Sequence, residues 1–494
     1  MKTEITLLYI IDDLRADHLS CYGYNRPTSE NIDRLAEQAV IFENIYSQST
    51  ETKSSAATIY TSTYPSVHNT IAETDRLSTG TVTLAESMKL AGFVTAAFNA
   101  NIRLGRDSGY DRGFDYYFDL HTRPEFQDIT KLPPSMLITQ EILAWLKDVG
   151  PEKAFITAWS MDTHLPYFPL DEFMAKFIPD VRNAPSGTVE SIMRARKSSD
   201  FKLIVDLYDA EILNNDHSIG CLIRGLKEQR LWDGTTFIFG SDHGEMILEH
   251  GHFMDHGCPP YREVTHVPML IKSPGLAPGR NSALSGLIDV MPTILKLAGA
   301  ESPETIQGRD LFDASPKKYV FSEALSKAGG KAVAIFDTHW KLIRTYSPLR
   351  SILKKLFHRI YVKNNFEGIQ TFDRKKRDKG IPSYLLIKQR LRKFMIDYIG
   401  NPPVFDINIF LWLKLLFKHF FGEVRLELYD LKNDPFEQKN VLSRSKDKTR
   451  DLVAQLGIFQ NQNATFRDAL NLRREQYSID PIVAERLKHL GYLD

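Results

Sequence analysis

The chain has 494 residues, 43% hydrophobic and 25% charged, with 62 Lys+Arg against 62 Asp+Glu. That composition suits a globular protein of two to four domains, or one large domain with an appendage. Zero formal net charge implies no global polyanion binding, and three cysteines (Cys21, Cys221, Cys258) without metal-site spacing are too few for a disulfide framework.

The N-terminal TLLYIIDD is an apolar, β-branched run closed by two aspartates, the pattern of a central parallel strand. It is shorter than a signal-peptide core or a membrane span, so a cytoplasmic protein is expected. SENIDRLAEQAV opens on a Ser and then shows helical periodicity. TETKSSAATIYTSTYPSVH, Thr50 to His68, carries a hydroxyl at every second or third position. Such segments form caps and turns; an activated nucleophile among the hydroxyls is the alternative. LAESMKLAG reads as a helix and FVTAAFN as a strand. KAFITAWSMD, TTFIFGSDHGE and VPMLIKSPG repeat the strand, and DVMPTILKLAG is a helix closed by Gly299. Strands alternating with helices predict an α/β fold with a doubly wound central sheet flanked by helices.

Beyond about Gly308, YVFSEAL, KAVAIFD, HWKLIRTY and RLELYDL read as a small antiparallel sheet. The expected domains are a catalytic domain at 1–312 and a C-terminal α+β subdomain at 313–494, with a basic, aromatic insert at about 346–424. From Arg350 to Lys418 there are 16 Lys/Arg against 5 Asp/Glu, with DRKKRDK and NIFLWLKLLFKHFF inside. Two readings of the insert stand open. One is a solvated loop with a buried helix; the other is an interfacial helix making peripheral membrane contact through 350–421. No base-reading module accompanies the charge, so no nucleic-acid partner is expected.

In open α/β sheets ligands bind beyond the carboxyl ends of the strands. Asp12 and Asp13, Asp162 to His164, and Asp242 and His243 each follow a predicted strand. Asp12, Asp13, Asp242 and His243 offer hard oxygens and one imidazole to a divalent cation such as Mn²⁺, Ca²⁺, Mg²⁺ or Zn²⁺. Such a cation polarises an anionic ester and activates a coordinated Thr hydroxyl, while further histidines bind the transferring group or protonate the leaving group. Each piece has a structural alternative. An Asp pair caps helices, His164 in MDTHLPY can be a structural histidine, and His250, His252, His256 and His266 can form a metal cluster or equally sit on a solvated loop.

The order of these pieces resembles the sulfatase family of the alkaline phosphatase superfamily, from about Ile5 to Leu311 and again at ELYDLKNDPFEQKNV. DDLRADHLSCYGY looks like the family's opening metal-binding aspartates. YDRGFDYYF, MDTHLPYFP, YDAEILNNDHSIG, SDHGEMILEHG and HGCPPYREVTHVPMLIKSPG follow in family order. The resemblance implies an alkaline-phosphatase-like sheet and one divalent metal ion held by Asp12, Asp13, Thr52, Asp242 and His243. Thr52, His164 and His256 would be catalytic, and Arg15 and Asn101 would contact the substrate.

Family members carry a Cys or Ser in C/S-x-P-x-R about nine residues before a Thr-Gly-x-Tyr-Pro turn. Here the turn is TSTYP, Thr61 to Pro65, and nine residues back stands Thr52, with Ser54 at the Pro position and Ala56 at the Arg position. Thr is not a formylglycine precursor, so no formylglycine is expected. The sequence resembles the unmodified-Thr branch, which includes lipoteichoic acid synthases. DHG in place of DNG at Asp242 and His243 resembles phosphonate monoester hydrolases and phosphoglycerol transferases. The implied function is metal-dependent hydrolysis of a glycan- or lipid-linked sulfate or phosphate ester by Thr52. Phosphoesters and phosphodiesters are favoured, because water opens a phospho-Thr in line, whereas a sulfo-Thr lacks the elimination route of a formylglycine hydrate. Two other readings stay open: a phospho-headgroup transferase at a membrane surface, and a catalytically silent binder of sulfated or phosphorylated glycans.

Overall fold

The computed structural model of the chain describes residues 4–123, 134–181, 187–251, 256–257, 259–315, 317–325, 331–347 and 423–489. Two compact units divide the chain. One holds Met1–Lys327, Lys331–Arg344 and Leu426–Asp494. The other, Ala328–Gly330 and Thr345–Arg425, falls almost wholly outside the described residues, and with it the basic insert and the membrane contact expected at 350–421.

In chain order the strands of the main sheet are β1 (Glu4–Ile11), β2 (Val40–Phe42), β3 (Val94–Asn99), β4 (Tyr116–Asp119), β5 (Lys153–Ser160), β6 (Thr235–Ser241), β7 (Met269–Lys272) and β8 (Gly279–Asn281). Across the sheet they lie in the order β8-β2-β7-β6-β1-β5-β3-β4. TLLYIIDD is a central strand, parallel to both neighbours, with Ile11 opposite Ser160 of β5 and Ser241 of β6. That register delivers Asp12, Met161 and Asp242 to one edge at one level. VPMLIKSPG departs from the doubly wound pattern: β7 runs antiparallel to β6 and β2, so the sheet is mixed.

Helices cover both faces: α1 (Glu30–Ala36), α2 (Thr52–Thr61), α3 (Leu84–Leu90), α4 (Pro134–Val149), α5 (Phe201–Glu228) and α6 (Val290–Leu297). Side chains alternate along β1, so Ile5, Leu7, Tyr9 and Ile11 enter a core with α1, α4 and α5. Leu8 and Ile10 enter a second core with α2, α3 and α6. At α1 no capping box forms, since Ile32 stands three residues past Ser29, and the Ser29 hydroxyl donates instead to the Asp33 carboxylate (3.1 Å). At α3 the box is complete: Glu86 N donates to Thr83 Oγ1 (3.1 Å) and Thr83 N to Glu86 Oε2 (2.8 Å).

The four C-terminal segments form the expected small sheet, β9 (Val320–Leu325), β10 (Lys331–Phe336), β11 (Trp340–Ser347) and β12 (Glu423–Asp430), side by side in chain order. Its β9 docks on the chain around Thr52. Glu323 N donates to Gln48 O (2.8 Å), and Glu323 Oε2 accepts from Ser66 N (2.8 Å). A helix absent from the sequence expectations, α7 (Lys446–Ala469), stacks Phe459 on Phe321 at 3.9 Å between ring centroids. Among the described residues no helix is long and apolar enough to cross a membrane.

Candidate active site

The hydroxyl-rich stretch after Glu51 folds as a buried helix rather than as turns. All ten residues of α2 are buried, and Ala56, Ala57, Ile59 and Tyr60 pack into the second core. Small residues let the helix approach the sheet, and two of its hydroxyls donate to backbone carbonyls. Ser55 Oγ reaches Asp242 O (2.7 Å) and Thr61 Oγ1 reaches Ala57 O (2.7 Å). Thr52 differs from these. At the first position of α2 it holds Oγ1 3.1 Å from His243 Nε2 and 3.3 Å from Asp12 Oδ1.

Asp12 and Asp13 cap no helix; both side chains point into the interior and are fully buried. Asp13 takes a left-handed backbone (φ 60), which turns the chain off the end of β1. Tyr208 OH donates to its carbonyl (2.6 Å). Asp12 Oδ2 accepts from Asn101 Nδ2 and from Trp159 Nε1 (3.4 Å). The His243 ring bridges the acids, with Nδ1 2.8 Å from Asp13 Oδ1 and Nε2 3.3 Å from Asp242 Oδ2. Gly244 is what the next position permits, since a Cβ there would lie 2.2 Å from the Glu263 carbonyl oxygen.

Two further histidines face Asp13. His164 Nε2 is 3.7 Å from Oδ2, and His256 Nδ1 is 3.6 Å from Oδ1 and 3.5 Å from Glu245 Oε2. The other histidines of that run disperse. His250 stacks on Tyr261 at 4.0 Å beside Glu263, and His266 Nε2 bonds the Glu43 carbonyl (2.8 Å). His252 and Cys258 lie outside the described residues.

Electrostatics mark the cluster as short of positive charge. Burial, then Asp12, pushes the Asp242 carboxyl well above its ordinary range. Burial and Asp13 push Glu245 up to about 7. Burial also works to raise Asp13, but His256, His243 and His164 together hold it far below that range. Burial opposes charge on His243, yet Asp242 and Asp13 push it up to about 10. Asp13 and Glu245 likewise overcome burial at His256 and raise it, whereas burial prevails at His164 and lowers it.

These residues fit a divalent cation. Both Asp13 carboxylate oxygens and Asp242 Oδ2 are buried without a hydrogen-bond partner, the His243 contact at Asp13 being an ion pair without hydrogen-bond alignment. Such orphaned anionic atoms are costly unless a cation neutralises them. Ligand atoms of Asp12, Asp13 and His243 lie within 4.8 Å of one another, and so do those of Asp13, His164 and His256. Hard carboxylate oxygens with one imidazole suit Mn²⁺, Ca²⁺ or Zn²⁺.

All the expected metal and catalytic residues thus come together, while the two expected substrate contacts are committed to protein partners. The buried Arg15 guanidinium pairs with Asp17 and Glu249, each at 2.8 Å. Asn101 Nδ2 donates to Asp12, and its Oδ1 accepts from Arg103 N (2.8 Å). Sequence reasoning passed over Glu245, although it stands two residues past His243 in SDHGE. It also passed over Arg103, whose guanidinium binds Glu73 (2.8 Å) and Glu51 (3.1 Å), the residue before Thr52.

The sulfatase family model matches residues 5–300, more than half of the chain. Arylsulfatase K of Xenopus laevis is 31% identical over 166 residues, 30% of this chain and 30% of the relative. An ulvan-active sulfatase of Formosa agariphila is 25% identical over 335 residues, 63% of this chain and 65% of the relative. The chain therefore spans less than two thirds of the length of these curated relatives. A protein solved with its substrate D-glucosamine-2-N,6-O-disulfate shares the fold at a TM-score of 0.66 and 18% identity, over 94% of this chain and 99% of that one. So does a phosphonate monoester hydrolase of Agrobacterium radiobacter, at 0.61 and 17% identity, over 95% and 96%.

Proposed function

The chain belongs to the sulfatase family, and on that premise we propose that it is a metal-dependent hydrolase of anionic sulfate or phosphate esters with Thr52 as nucleophile. The observation that carries this reading is the Thr52 hydroxyl within 3.3 Å of Asp12 and His243, beside buried carboxylate oxygens that no hydrogen bond satisfies. Asp12, Asp13, Asp242 and His243, with Thr52, would hold one divalent cation. Bound there, it would lower the pKa of the hydroxyl and draw off charge from the transferring group.

Thr52 Oγ attacks sulfur or phosphorus and the bond to the alcohol oxygen breaks. In net, the hydroxyl proton passes through His164 or His256 to the departing alcohol. Water then opens the Thr52 ester, releases the anion and restores the hydroxyl. His256, held cationic by Asp13 and Glu245, faces the substrate's negative charge. Asn101 orients Asp12, and Arg15 ties the turn after β1 to Glu249.

Phosphoesters and phosphodiesters are favoured over sulfate esters because the nucleophile is an unmodified Thr: phospho-Thr opens in line, and no formylglycine is part of the scheme. The test is initial rates with added Mn²⁺, Ca²⁺ or Zn²⁺ on a chromogenic sulfate, phosphomonoester and phosphodiester, for wild type and Thr52→Ala. Turnover should be fastest on a phosphorus ester and fall at least about 1000-fold in the variant. Equal rates in the two proteins would sink the reading.

A further inference from the structure

A cavity of about 60 Å³ opens beside the nucleophile cluster at the same edge of the sheet. It lies past the ends of three strands: Ala100 follows β3, Leu120 follows β4, and Met161 to Phe168 follow β5. The volume is room for roughly four or five waters, and because the cavity is open on one side a small ring can enter it in part. Leu120, Met161, Leu165, Pro166 and Phe168 make its walls largely apolar.

Pro134, His121 and two buried acids, Asp162 and Glu211, also line it, and among the described residues no Lys or Arg takes part. Both acids are held by the protein: Ser135 donates to Asp162 through N (3.1 Å) and Oγ (3.0 Å), and Asn214 Nδ2 donates to Glu211 (2.6 Å). His164 belongs to both places. Its ring lines the cavity, and its Nε2 is 3.7 Å from Asp13. Ala100 is joined to Asn101, whose amide holds Asp12.

We propose that this cavity receives the alcohol half of the ester, and that it takes a compact, uncharged aryl or short alkyl alcohol rather than a sugar carrying a second anionic group. The proposal rests on the ester-hydrolase reading above, because it places the scissile oxygen at His164, between the cavity and the anion. Among the described residues a second sulfate or phosphate on the alcohol would meet two carboxyl groups and no Lys or Arg, which is costly whether those carboxyls are charged or neutral. A sugar ring would bring several hydroxyls against five apolar side chains and lose their hydration. An aryl ring instead gains by leaving water for that surface.

The alcohol alone is the probe, so the test does not depend on turnover. Fluorine NMR would follow a fluorinated phenol against a fluorinated methyl glucoside on wild type, Met161→Trp, which fills the cavity, and Phe168→Ala, which strips a wall. Phenol should bind wild type at least tenfold more tightly than the glucoside, and each variant that remains folded should lose at least about tenfold. Equal or tighter glucoside binding overturns the proposal, and so does phenol binding indifferent to both substitutions. Phenol binding as expected, with no Thr52-dependent turnover of any ester, would support the cavity assignment while the ester-hydrolase reading failed.

Discussion

Thr52 Oγ1 and His243 Nε2 stand 3.1 Å apart although 191 residues separate them in the chain. One comes from the N-terminus of a buried helix and the other from the loop after a central strand. Ser55, one turn further along α2, donates to the Asp242 carbonyl (2.7 Å) and fixes their separation.

Metal binding should expel protons. Without a cation, Asp242 and Asp13 keep His243 protonated up to about 10, and an imidazole must be neutral to coordinate. Calorimetric titration of Mn²⁺ near pH 7, in two buffers of different ionisation heat, should show release of about one proton or more per ion. Affinity should rise with pH. Binding without proton exchange would contradict the assignment of His243 as a ligand.

Asp162 should make stability fall as pH rises. Burial pushes it from its ordinary 3.8 up to about 7, against hydrogen bonds from Ser135. A folded-state pKa above the unfolded one means that the group's contribution is whole below about pH 4 and is lost as pH climbs through about 7. Asp162→Asn should match wild type near pH 4 and be more stable near pH 8, by up to about 4 kcal/mol. Urea melts at the two pH values measure the difference, and an equal effect at both would contradict it.

Gly244→Ala should damage both fold and site. Its methyl group would enter the space of the Glu263 carbonyl oxygen, and because that oxygen is backbone and the methyl has no rotamer to escape into, the loop carrying Asp242 and His243 must shift. A loss of about 1–3 kcal/mol and of at least tenfold in metal affinity is expected. Thermal melts with and without metal would show it.

His256→Gln should act on the anion. Its imidazolium, kept charged by Asp13 and Glu245, would give way to a neutral side chain, and kcat/KM should drop about 100-fold. The weakening should be greater for a dianionic phosphomonoester than for a monoanionic diester. Steady-state kinetics on the two substrates would reveal a uniform loss if His256 instead has a structural role.

Much of this molecule can be read from its sequence because its strands are apolar on both faces and their ends carry the chemistry. TLLYIIDD, TTFIFGSDHGE and KAFITAWSMD each announce a strand and a site residue at once. The long helix α5 is harder to read, since Asp206, Asp209, Glu211, Asn214, Asn215 and Asp216 are all buried and blur its amphipathic period. Helix α2 hides for a related reason: the Ser55 hydroxyl is satisfied by the Asp242 carbonyl, 187 residues away, and no local pattern records that. Arg103 and Glu73 form an ion pair across 30 residues, and Glu211 reaches Asp162's cavity from a different element. The antiparallel course of β7 depends on sheet order, which strand composition does not encode.

The proposed chemistry requires Thr52 to become covalently modified during turnover. Rapid acid quench of the metal-loaded enzyme with a chromogenic phosphodiester, followed by peptide mass spectrometry, tests it directly. A phosphoryl ester is expected on the peptide containing Thr52, forming and decaying at rates compatible with turnover and absent in Thr52→Ala. An unmodified Thr52 peptide throughout active turnover, or an adduct on another residue, would contradict it.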